Sequence, residues 1–262
     1  MASKQILLIS GGNTGLGLET LRALCRSETA YDLILAARTL SKGEAAAETL
    51  RQEFPGTPST ISPVQLDIAD DESIAAAYST ISAKYERLDV LINNAGTQLP
   101  PSDPTPRRAA WNQTLNVNVT GTDIITDTFA PLLLKSSSPR LLFITSGTSS
   151  LNETMEPNLF INVPPPAGWP KKQLSAALLP YRASKTALNM VVRDWARVLN
   201  EDGVKVFAVS PGFLATGLGG GIGAKMGAAH PSVGGELVRD VVEGKRDEDV
   251  GLVVKEGGVQ PW

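Results

Sequence analysis

The chain has 262 residues and a formal net charge of −3, with 42% hydrophobic and 19% charged residues. This charge provides no basic surface for phosphate backbones or anionic lipid, so we expect neither nucleic acid nor a membrane as a partner. The length is compatible with a single α/β domain built around one large core.

The beginning of the chain carries no strong targeting signal. Its apolar run, residues 6–9, is far shorter than a signal-peptide core or a membrane-spanning helix, and we expect a soluble, cytoplasmic protein. Cysteine and histidine occur once each. Cys25 is predicted to be a buried structural thiol and His230 a surface side chain, so disulfides, a catalytic triad and a metal site are not expected.

Short apolar runs alternate with longer helical patterns along most of the chain. The alternation is typical of βαβ units, and it predicts an α/β fold with one Rossmann-like, doubly wound parallel sheet of about seven strands and helices on both faces. Strands are predicted at residues 5–10, 32–37, 62–67, 90–93, 140–145, 204–209 and 251–254. Helices are predicted at residues 18–24, 44–53 and 70–85, among others.

Two stretches interrupt this alternation. Residues 151–180 hold six prolines and little periodicity, and residues 217–227 are rich in glycine. Because strand and helix patterns resume after each stretch, both are predicted to be loops of one domain rather than linkers. Long loops in a compact α/β domain are typically lids or binding loops, and a mobile surface excursion is the alternative.

A glycine turn follows the first predicted strand. Gly11, Gly15 and Gly17 lie between that strand and the next predicted helix. Glycine lets backbone N–H groups approach a pyrophosphate closely, and the N-terminus of the helix adds a favourable partial positive charge. Packing alone also produces such turns, but the strand, turn and helix in this order favour a dinucleotide site.

The spacing Gly-x-x-x-Gly-x-Gly resembles the TGxxxGxG turn of the short-chain dehydrogenase/reductase family, with Ser10 in place of the threonine. Further segments resemble other motifs of that family, and they occur in the family's order. They are Asn93-Asn94-Ala95-Gly96 (its NNAG element), Asn118 (in its interrupted fourth helix), Ser146 (its catalytic serine), Tyr181-Arg182-Ala183-Ser184-Lys185 (its YxxSK motif), and Pro211-Gly212 with Thr216 (its segment over the nicotinamide).

The resemblance implies one NAD(P)-binding domain over residues 1–262, with a substrate-loop insertion at about 151–180 and a glycine-rich lid at about 213–232. It also implies a homodimer or homotetramer that pairs through helices at residues 123–134 and 181–200. The implied catalytic residues are Asn118, Ser146, Tyr181 and Lys185. The implied cofactor contacts are Gly11, Asn13, Thr14, Gly15, Leu16, Gly17, Arg38, Asp67, Ile68, Asn94, Ala95, Gly96, Tyr181, Lys185, Pro211, Gly212 and Thr216.

These residue types suit hydride transfer to a carbonyl. Negative charge develops on the oxygen, so the site needs an acid and a second polarising donor. Tyrosine can serve as acid and base, and a nearby ammonium lowers its pKa by favouring the phenolate. Lys185 follows Tyr181 by four residues, which places both side chains on one helix face. An isolated pair of this kind is typical of an ordinary amphipathic helix, and the surrounding motifs favour the catalytic interpretation.

The resemblance also implies the remaining roles. Lys185 binds the nicotinamide ribose, Ser146 holds the substrate oxygen, and the backbone of Asn118 holds a water that relays protons from solvent.

Arg38 directly follows the second predicted strand, at the position where NAD-preferring folds carry an acidic residue that binds the ribose 2′-hydroxyl. A guanidinium suits a 2′-phosphate instead, so NADP(H) is the predicted cofactor. A solvated arginine is the alternative, because Asn13 and Thr14 stand where relatives place a second basic residue. The resemblance assigns Asp67 and Ile68 to adenine.

The chain departs from the family pattern between two of its motifs. Ser146 and Tyr181 are separated by 35 positions, more than in most relatives, so an insertion is predicted over the substrate end of the cleft. Such an insertion resembles reductases of fungal specialised metabolism. Trp169 is the candidate substrate contact within it.

Three functions are compatible with the sequence. The first is an NADPH-dependent oxidoreductase that acts on the carbonyl or secondary alcohol of a small molecule. The second is an imine or iminium reductase on the same scaffold, and the third is an NADP-binding sensor without turnover. The complete set of Ser146, Tyr181 and Lys185 argues against the sensor, but C=O and C=N substrates accept hydride in the same geometry.

Overall fold

The computed structural model describes residues 4–100, 102–169, 171 and 178–262. Its strands are β1 (Gln5–Ser10), β2 (Tyr31–Ala37), β3 (Thr60–Gln65), β4 (Val90–Asn93), β5 (Arg140–Ile144), β6 (Lys205–Val209), β7 (Val253–Lys255) and β8 (Gly258–Gln260). They form one sheet in the order β3-β2-β1-β4-β5-β6-β7-β8. All neighbours pair in parallel except β7 and β8, which are antiparallel.

Helices cover both faces of this sheet. They are α1 (Gly15–Cys25), α2 (Leu40–Glu53), α3 (Asp71–Lys84), α4 (Arg107–Leu115), α5 (Thr122–Leu133), α6 (Leu178–Val198), α7 (Ile222–Lys225) and α8 (Pro231–Val242), with a π-helical turn, Asn116–Gly121, between α4 and α5. Among the described residues, no helix is both long enough and apolar enough to cross a membrane.

Alternation along the strands builds two cores. In β1, Leu8 packs into the core that contains buried residues of α3, α5 and α6. Leu7 and Ile9 pack into the opposite core, with buried residues of α1, α2 and α8. Strands that are buried on both faces read as continuous apolar runs, which is why the sequence reveals them.

The α/β prediction with one doubly wound sheet is confirmed, and most strand bounds agree within two residues. The sheet has one strand more than the expected seven. β8 has three residues and pairs with β7 across Glu256 and Gly257, and Gly257 has a positive φ of 71°. A strand this short shows no alternation, so only its glycine turn could have indicated it.

Predictions for the single cysteine and the single histidine are also confirmed. Cys25 is buried, and burial raises the pKa of its thiol to about 11. His230 is exposed and caps α8, where its Nδ1 accepts a hydrogen bond from the Ser232 N–H at 3.2 Å.

The strand order reverses between β1 and β4. From β1 the chain adds β2 and β3 on one side, and it then returns to add β4 and the later strands on the other side. Ligands of open α/β sheets bind in the crevice beyond the carboxyl ends of the strands at such a switch point. The crevice therefore lies beside Ser10, which ends β1, and Asn93, which ends β4.

One glycine permits a close approach beside this crevice. Gly121 ends the π-helical turn, and a Cβ atom built on it would lie 1.9 Å from the backbone oxygen of Ile68. No side chain fits at that distance. The α4 to α5 segment can therefore contact the loop after β3 only if residue 121 is glycine.

We expect Gly121→Ala to reduce the free energy of unfolding by roughly 1–3 kcal/mol, because backbone atoms must shift to admit the methyl group. Urea denaturation monitored by circular dichroism measures the loss. Gly56→Ala is the matched control, since no atom lies within 4 Å of its Cβ position. Equal midpoints for both variants would contradict the steric argument.

Candidate active site

The glycine turn has the geometry of a phosphate cradle. Gly11 and Gly15 have positive φ angles of 65° and 54°, and a Cβ on Gly17 would lie 2.4 Å from the backbone oxygen of Gly11. Thr14 is the N-cap of α1, but its side chain makes no capping hydrogen bond. The first N–H groups of α1 therefore lack a side-chain acceptor and are suited to an anion.

Ser10 links this turn to the segment after β4. Its hydroxyl accepts hydrogen bonds from the N–H groups of Asn94 and Ala95, each at 3.0 Å. The amide nitrogen of Asn94 donates in return to the backbone oxygens of Ser10 at 2.8 Å and Gly11 at 3.1 Å. The hydroxyl at position 10 therefore holds together the two sides of the crevice.

Helix α6 carries Tyr181 and Lys185 to the end of β5. Both side chains are buried, with 8% of Tyr181 and 4% of Lys185 exposed. Lys185 Nζ donates to the backbone oxygen of Ile144 at 2.7 Å and lies 6.0 Å from the centre of the Tyr181 ring. Ser146 follows two residues after Ile144, and its hydroxyl acts on the Tyr181 phenol, whose pKa it lowers.

Asn118 lies in the π-helical turn, so the fourth helix is interrupted where the sequence predicted. Its side chain is fully buried. The amide oxygen accepts from Thr97 N–H at 2.7 Å, and the amide nitrogen donates to the Thr97 oxygen and to Ser184 Oγ, each at 2.9 Å. Gly96 lies between Asn118 and Lys185, since a Cβ there would be 3.3 Å from Asn118 Oδ1 and 3.5 Å from Lys185 Nζ.

The structure therefore brings Asn118, Ser146, Tyr181 and Lys185 to one end of the sheet. Sequence reasoning did not single out two residues that hold Asn118. Ser184 lies within the YxxSK motif itself, so its position was visible although its partner was not. Thr97 follows the NNAG element directly and gave no signal of its own.

Burial acts on the two titratable groups in opposite directions. It lowers the pKa of Lys185 from its ordinary 10.5 to about 8. It raises the pKa of Tyr181, and the hydrogen bond with Ser146 offsets only part of that rise. We expected Lys185 to lower the pKa of Tyr181, and the structure shows the opposite direction. The Lys185 ammonium is directed at the oxygen of Ile144 rather than at the phenol.

The predicted adenosine contacts lie along the same edge of the sheet. Arg38 directly follows β2, is exposed, and makes no ion pair with any carboxylate in the described ranges. The Asp67 carboxylate accepts a hydrogen bond from Ala69 N–H at 3.0 Å, and Ile68 is buried.

A lysine that sequence reasoning missed lies close to this edge. Lys42, in the first turn of α2, lines an open groove of about 470 Å³ together with Asn13 and Thr14. The sequence lacked a second basic residue in the glycine turn, and the fold supplies one from the next helix. The signal available was its spacing, four residues after Arg38.

The segment after β6 returns to the glycine turn. A Cβ on Gly15 would lie 3.4 Å from Thr216 Cβ. Pro211 packs against α8, where a Cβ on Gly234 would lie 3.0 Å from Pro211 Cβ and 2.9 Å from Leu16 Cδ1. Leu16 therefore contributes packing through its side chain.

The turn at Pro211 and the glycine-rich stretch have their own constraints. Gly212 has a positive φ of 92°, and Gly219 to Gly221 have φ angles of 61°, 72° and 74°. Gly219 N–H donates to the Gln98 oxygen at 3.2 Å. The glycine-rich stretch thus contacts the segment after the NNAG element.

The predicted insertion begins at the site and contacts α6. Arg182 lies next to Tyr181, and its guanidinium is 3.3–3.4 Å from the Thr148 oxygen, the Ile161 oxygen and Asn162 Oδ1. Trp169 is 77% exposed and makes no hydrogen bond or ring contact with the described residues. Pro170 and residues 172–177, which complete the predicted insertion, lie outside the described residues.

Comparison with known proteins agrees with this geometry. The family model described as short chain dehydrogenase matches residues 5–157, and a second, described as Enoyl-(Acyl carrier protein) reductase, matches residues 171–242. The chain belongs to the short-chain dehydrogenase/reductase family. It is therefore an oxidoreductase of a family that binds nicotinamide cofactors and acts on the carbonyl or alcohol of small molecules.

Relatives within the family include fungal proteins that match this chain over nearly their whole length. The short-chain dehydrogenase/reductase tropE of Talaromyces stipitatus is 47% identical over 100% of this chain and 99% of its own. The short-chain dehydrogenase/reductase eupG of Phoma sp is 46% identical over 99% of this chain and 98% of its own. Human carbonyl reductase [NADPH] 1 is 31% identical over 82% of this chain and 83% of its own. The resemblance to the family, and to fungal reductases within it, is confirmed.

Solved structures share the fold of this short-chain dehydrogenase/reductase. The NADPH-bound carbonyl reductase from chicken fatty liver superimposes with a TM-score of 0.73 at 23% identity, over 100% of this chain and 96% of its own. The carbonyl reductase Sniffer of D. melanogaster superimposes with a TM-score of 0.76 at 20% identity, over 99% of this chain and 100% of its own. Within the described residues, no group of three or more potential metal ligands is present.

The buried ammonium predicts a pH-dependent cost to stability. A pKa of about 8 for Lys185, against 10.5 when unfolded, corresponds to roughly 3 kcal/mol of destabilisation while the lysine is charged in both states. Between about pH 8 and 10.5 the unfolded chain binds the extra proton, so this cost disappears as pH rises. We expect Lys185→Met to be more stable than the parent by about 1–2 kcal/mol at pH 7, after loss of the bond to Ile144.

Urea denaturation of both proteins from pH 7 to 10 measures the difference, which should shrink as pH rises. Groups that both proteins share, including the Tyr181 phenol, contribute nearly equally to the pH dependence of each stability, so their contributions cancel in the difference. Lys135→Met, at an exposed position after α5, should show no such trend. A stability difference that does not change with pH would contradict the assignment.

Proposed function

We propose that this protein is an NADPH-dependent carbonyl reductase, in which Tyr181 is the general acid and base. The observation that carries the proposal is the convergence of Tyr181, Ser146 and Lys185 beside a glycine cradle at the switch point of the sheet. The cradle fits a dinucleotide, because Gly11, Gly15 and Gly17 leave space where side chains would stand and α1 has no side-chain cap. The relatives named carbonyl reductase [NADPH] support the assignment.

When bound, the nicotinamide supplies the hydride. The chain's own residues then handle the substrate oxygen, where negative charge develops. Tyr181 gives its phenol proton to this oxygen, and Ser146 donates a hydrogen bond to it. Because burial keeps the pKa of Tyr181 above its ordinary value, the phenol holds its proton at neutral pH. This favours its use as an acid, in the direction of reduction.

We propose that Lys185 holds the proton that later restores the Tyr181 phenol, and that a bridging hydroxyl or water carries it between the two groups, since the ammonium itself is directed at Ile144. The pKa of about 8 lets its ammonium lose and regain a proton near neutral pH. Asn118 lies next to it across Gly96, and a water on the backbone of Asn118, as the family implies, would connect the pair to solvent. Thr97 and Ser184 keep the Asn118 side chain out of this exchange.

We propose that residues 151–180 and 213–232 form the substrate loops of one domain. The insertion begins directly after Ser146, and Arg182 holds part of it beside Tyr181. The glycine-rich stretch contacts the segment after the NNAG element, on the other side of the site. A substrate contact by Trp169 stays a prediction, because its side chain is largely exposed. Pairing into a homodimer or homotetramer likewise stays an expectation.

Two cations near the end of β2 support NADPH over NADH, and neither forms a salt bridge with a described carboxylate. Lys42 lines the groove beside Asn13 and Thr14, and the exposed Arg38 directly follows β2. Both side chains can donate charge-assisted hydrogen bonds to a 2′-phosphate. We expect Arg38→Asp to weaken NADPH about tenfold to a hundredfold while NADH gains, and Lys42→Ala to weaken NADPH by a smaller factor, roughly threefold to tenfold.

Fluorescence titration with each cofactor measures these changes. Lys135→Ala removes an exposed cation elsewhere and should leave both affinities unchanged. If Arg38→Asp binds NADPH as tightly as the parent, the preference for NADPH has another origin. If only Lys42→Ala is silent, Arg38 alone holds the phosphate.

The role of Tyr181 separates an enzyme from a sensor. General acid catalysis typically supplies 10²- to 10⁴-fold, so Tyr181→Phe should slow reduction of a neutral ketone by about that factor. NADPH affinity should change little, because the glycine turn, Arg38 and Lys185 remain. An iminium substrate already carries positive charge and should lose only on the order of tenfold.

A panel of quinones, α-diketones, aromatic aldehydes and cyclic imines, followed by loss of NADPH absorbance, provides the rates. Tyr78→Phe is the matched control, since that tyrosine lies in α3, where its ring packs edge-on against Phe129 of α5. Equal rates for Tyr181→Phe and the parent would remove Tyr181 as the proton source. Tight NADPH binding without turnover of any compound would indicate a sensor.

A further inference from the structure

The hydroxyl of Ser146 has a second neighbour besides Tyr181. Thr148 N–H donates to Ser146 Oγ at 3.2 Å, and Thr148 Oγ1 lies 3.0 Å from the same atom. A serine hydroxyl has one proton to donate and two lone pairs that accept. The backbone contact is an ordinary helix cap for the 3₁₀ turn Gly147–Ser149, but the contact with Thr148 Oγ1 is not needed for the cap.

We propose that Thr148 is a positioning residue that fills both lone pairs of Ser146 Oγ, one through its N–H and one through its hydroxyl. The inference rests on the proposed function, since it concerns the protons of Ser146 and Tyr181. With both lone pairs occupied, Ser146 cannot accept the proton of Tyr181. Ser146 can then donate its proton in a hydrogen bond to the substrate oxygen. Tyr181 can donate its own proton to the same oxygen.

Without the Thr148 hydroxyl, one lone pair of Ser146 is free. The Tyr181 hydroxyl is its neighbour, so the two catalytic groups can hydrogen-bond to each other in the wrong sense, with Tyr181 as donor. The substrate oxygen must then displace this bond before it receives the proton. Thr148 therefore acts on the direction of two protons and has no part in binding the cofactor.

The position of Thr148 is fixed independently of its own hydroxyl. Ser149 N–H and Ser149 Oγ both donate to the backbone carbonyl oxygen of Ser146, at 3.0 Å and 2.6 Å. From α6, Thr186 Oγ1 donates to the Ser149 oxygen at 2.8 Å, and Arg182 Nε lies 3.4 Å from the Thr148 oxygen. Removal of the Thr148 hydroxyl should thus leave the turn in place.

A double-mutant cycle tests the proposal. Thr148→Val, Thr148→Ser, Ser146→Ala and the pair Ser146→Ala with Thr148→Val are assayed with NADPH and the fastest carbonyl compound of the panel. We expect Thr148→Val to lower kcat about threefold to tenfold, at nearly unchanged NADPH affinity, and Thr148→Ser to restore most of the rate. In the Ser146→Ala background, Thr148→Val should have no further effect.

The control is Thr80→Val, because that exposed hydroxyl lies in α3, outside the proposed site and substrate loops, and donates to the Ala76 oxygen at 2.9 Å. Thermal melts show whether each variant is folded, and Thr148→Ala repeats the cycle if the valine variant is not. A crystal structure of Thr148→Val with NADPH should show Ser146 Oγ rotated toward Tyr181.

The outcomes separate this inference from the proposed function. A wild-type rate for Ser146→Ala contradicts the proposed catalytic set itself. If Ser146→Ala is slow but Thr148→Val is as fast as the parent, the positioning role is wrong. A loss from Thr148→Val that recurs in full in the Ser146→Ala background also overturns the inference, since Thr148 would then act directly or through the fold.

Discussion

The hydrogen bond from Lys185 to the backbone oxygen of Ile144 fixes the rest of the site. It joins the middle of α6 to the last residue of β5, so it sets how far α6 extends past the end of the sheet. Tyr181 lies one turn before Lys185 and therefore reaches the segment that starts with Ser146. The bond requires a buried ammonium, which costs stability. A residue that served only the fold would not need this charge.

The burial that lowers the pKa of Lys185 also raises that of Tyr181, and the two effects have one consequence. The phenol stays protonated, while the amine can exchange a proton near neutral pH. In the proposed function, an acid and its proton supply are thus tuned by desolvation rather than by mutual attraction, since the ammonium lies 6.0 Å from the ring centre. The four-residue spacing therefore placed Tyr181 and Lys185 correctly on one helix face, but it led to the wrong direction for the pKa shift of Tyr181.

The sequence predicted what local patterns encode. The strands are continuous apolar runs, the glycine turn has its own backbone requirement, and Tyr181 and Lys185 are related by one helical turn. Features that depend on distant contacts were missed, as was one strand that is too short to show alternation. Lys42 lines the groove only because α2 packs beside the glycine turn, and β8 has only three residues. No spacing rule in one chain reveals that Ser184 and Asn118, 66 positions apart, share a hydrogen bond.

The start of the insertion is anchored on the last residues of the chain, and the same residues support the segment that carries Ser146. At its start, Trp262 O accepts hydrogen bonds from Ser150 Oγ and Asn152 N–H, at 3.3 Å and 3.1 Å. The side-chain amide nitrogen of Gln260 in β8 donates to the backbone carbonyl oxygen of Ser146 at 3.3 Å. The short last strand therefore supports the segment that carries Ser146. A loop held at a rigid base can change sequence beyond that base, so under the proposed function a change of substrate need not disturb Ser146.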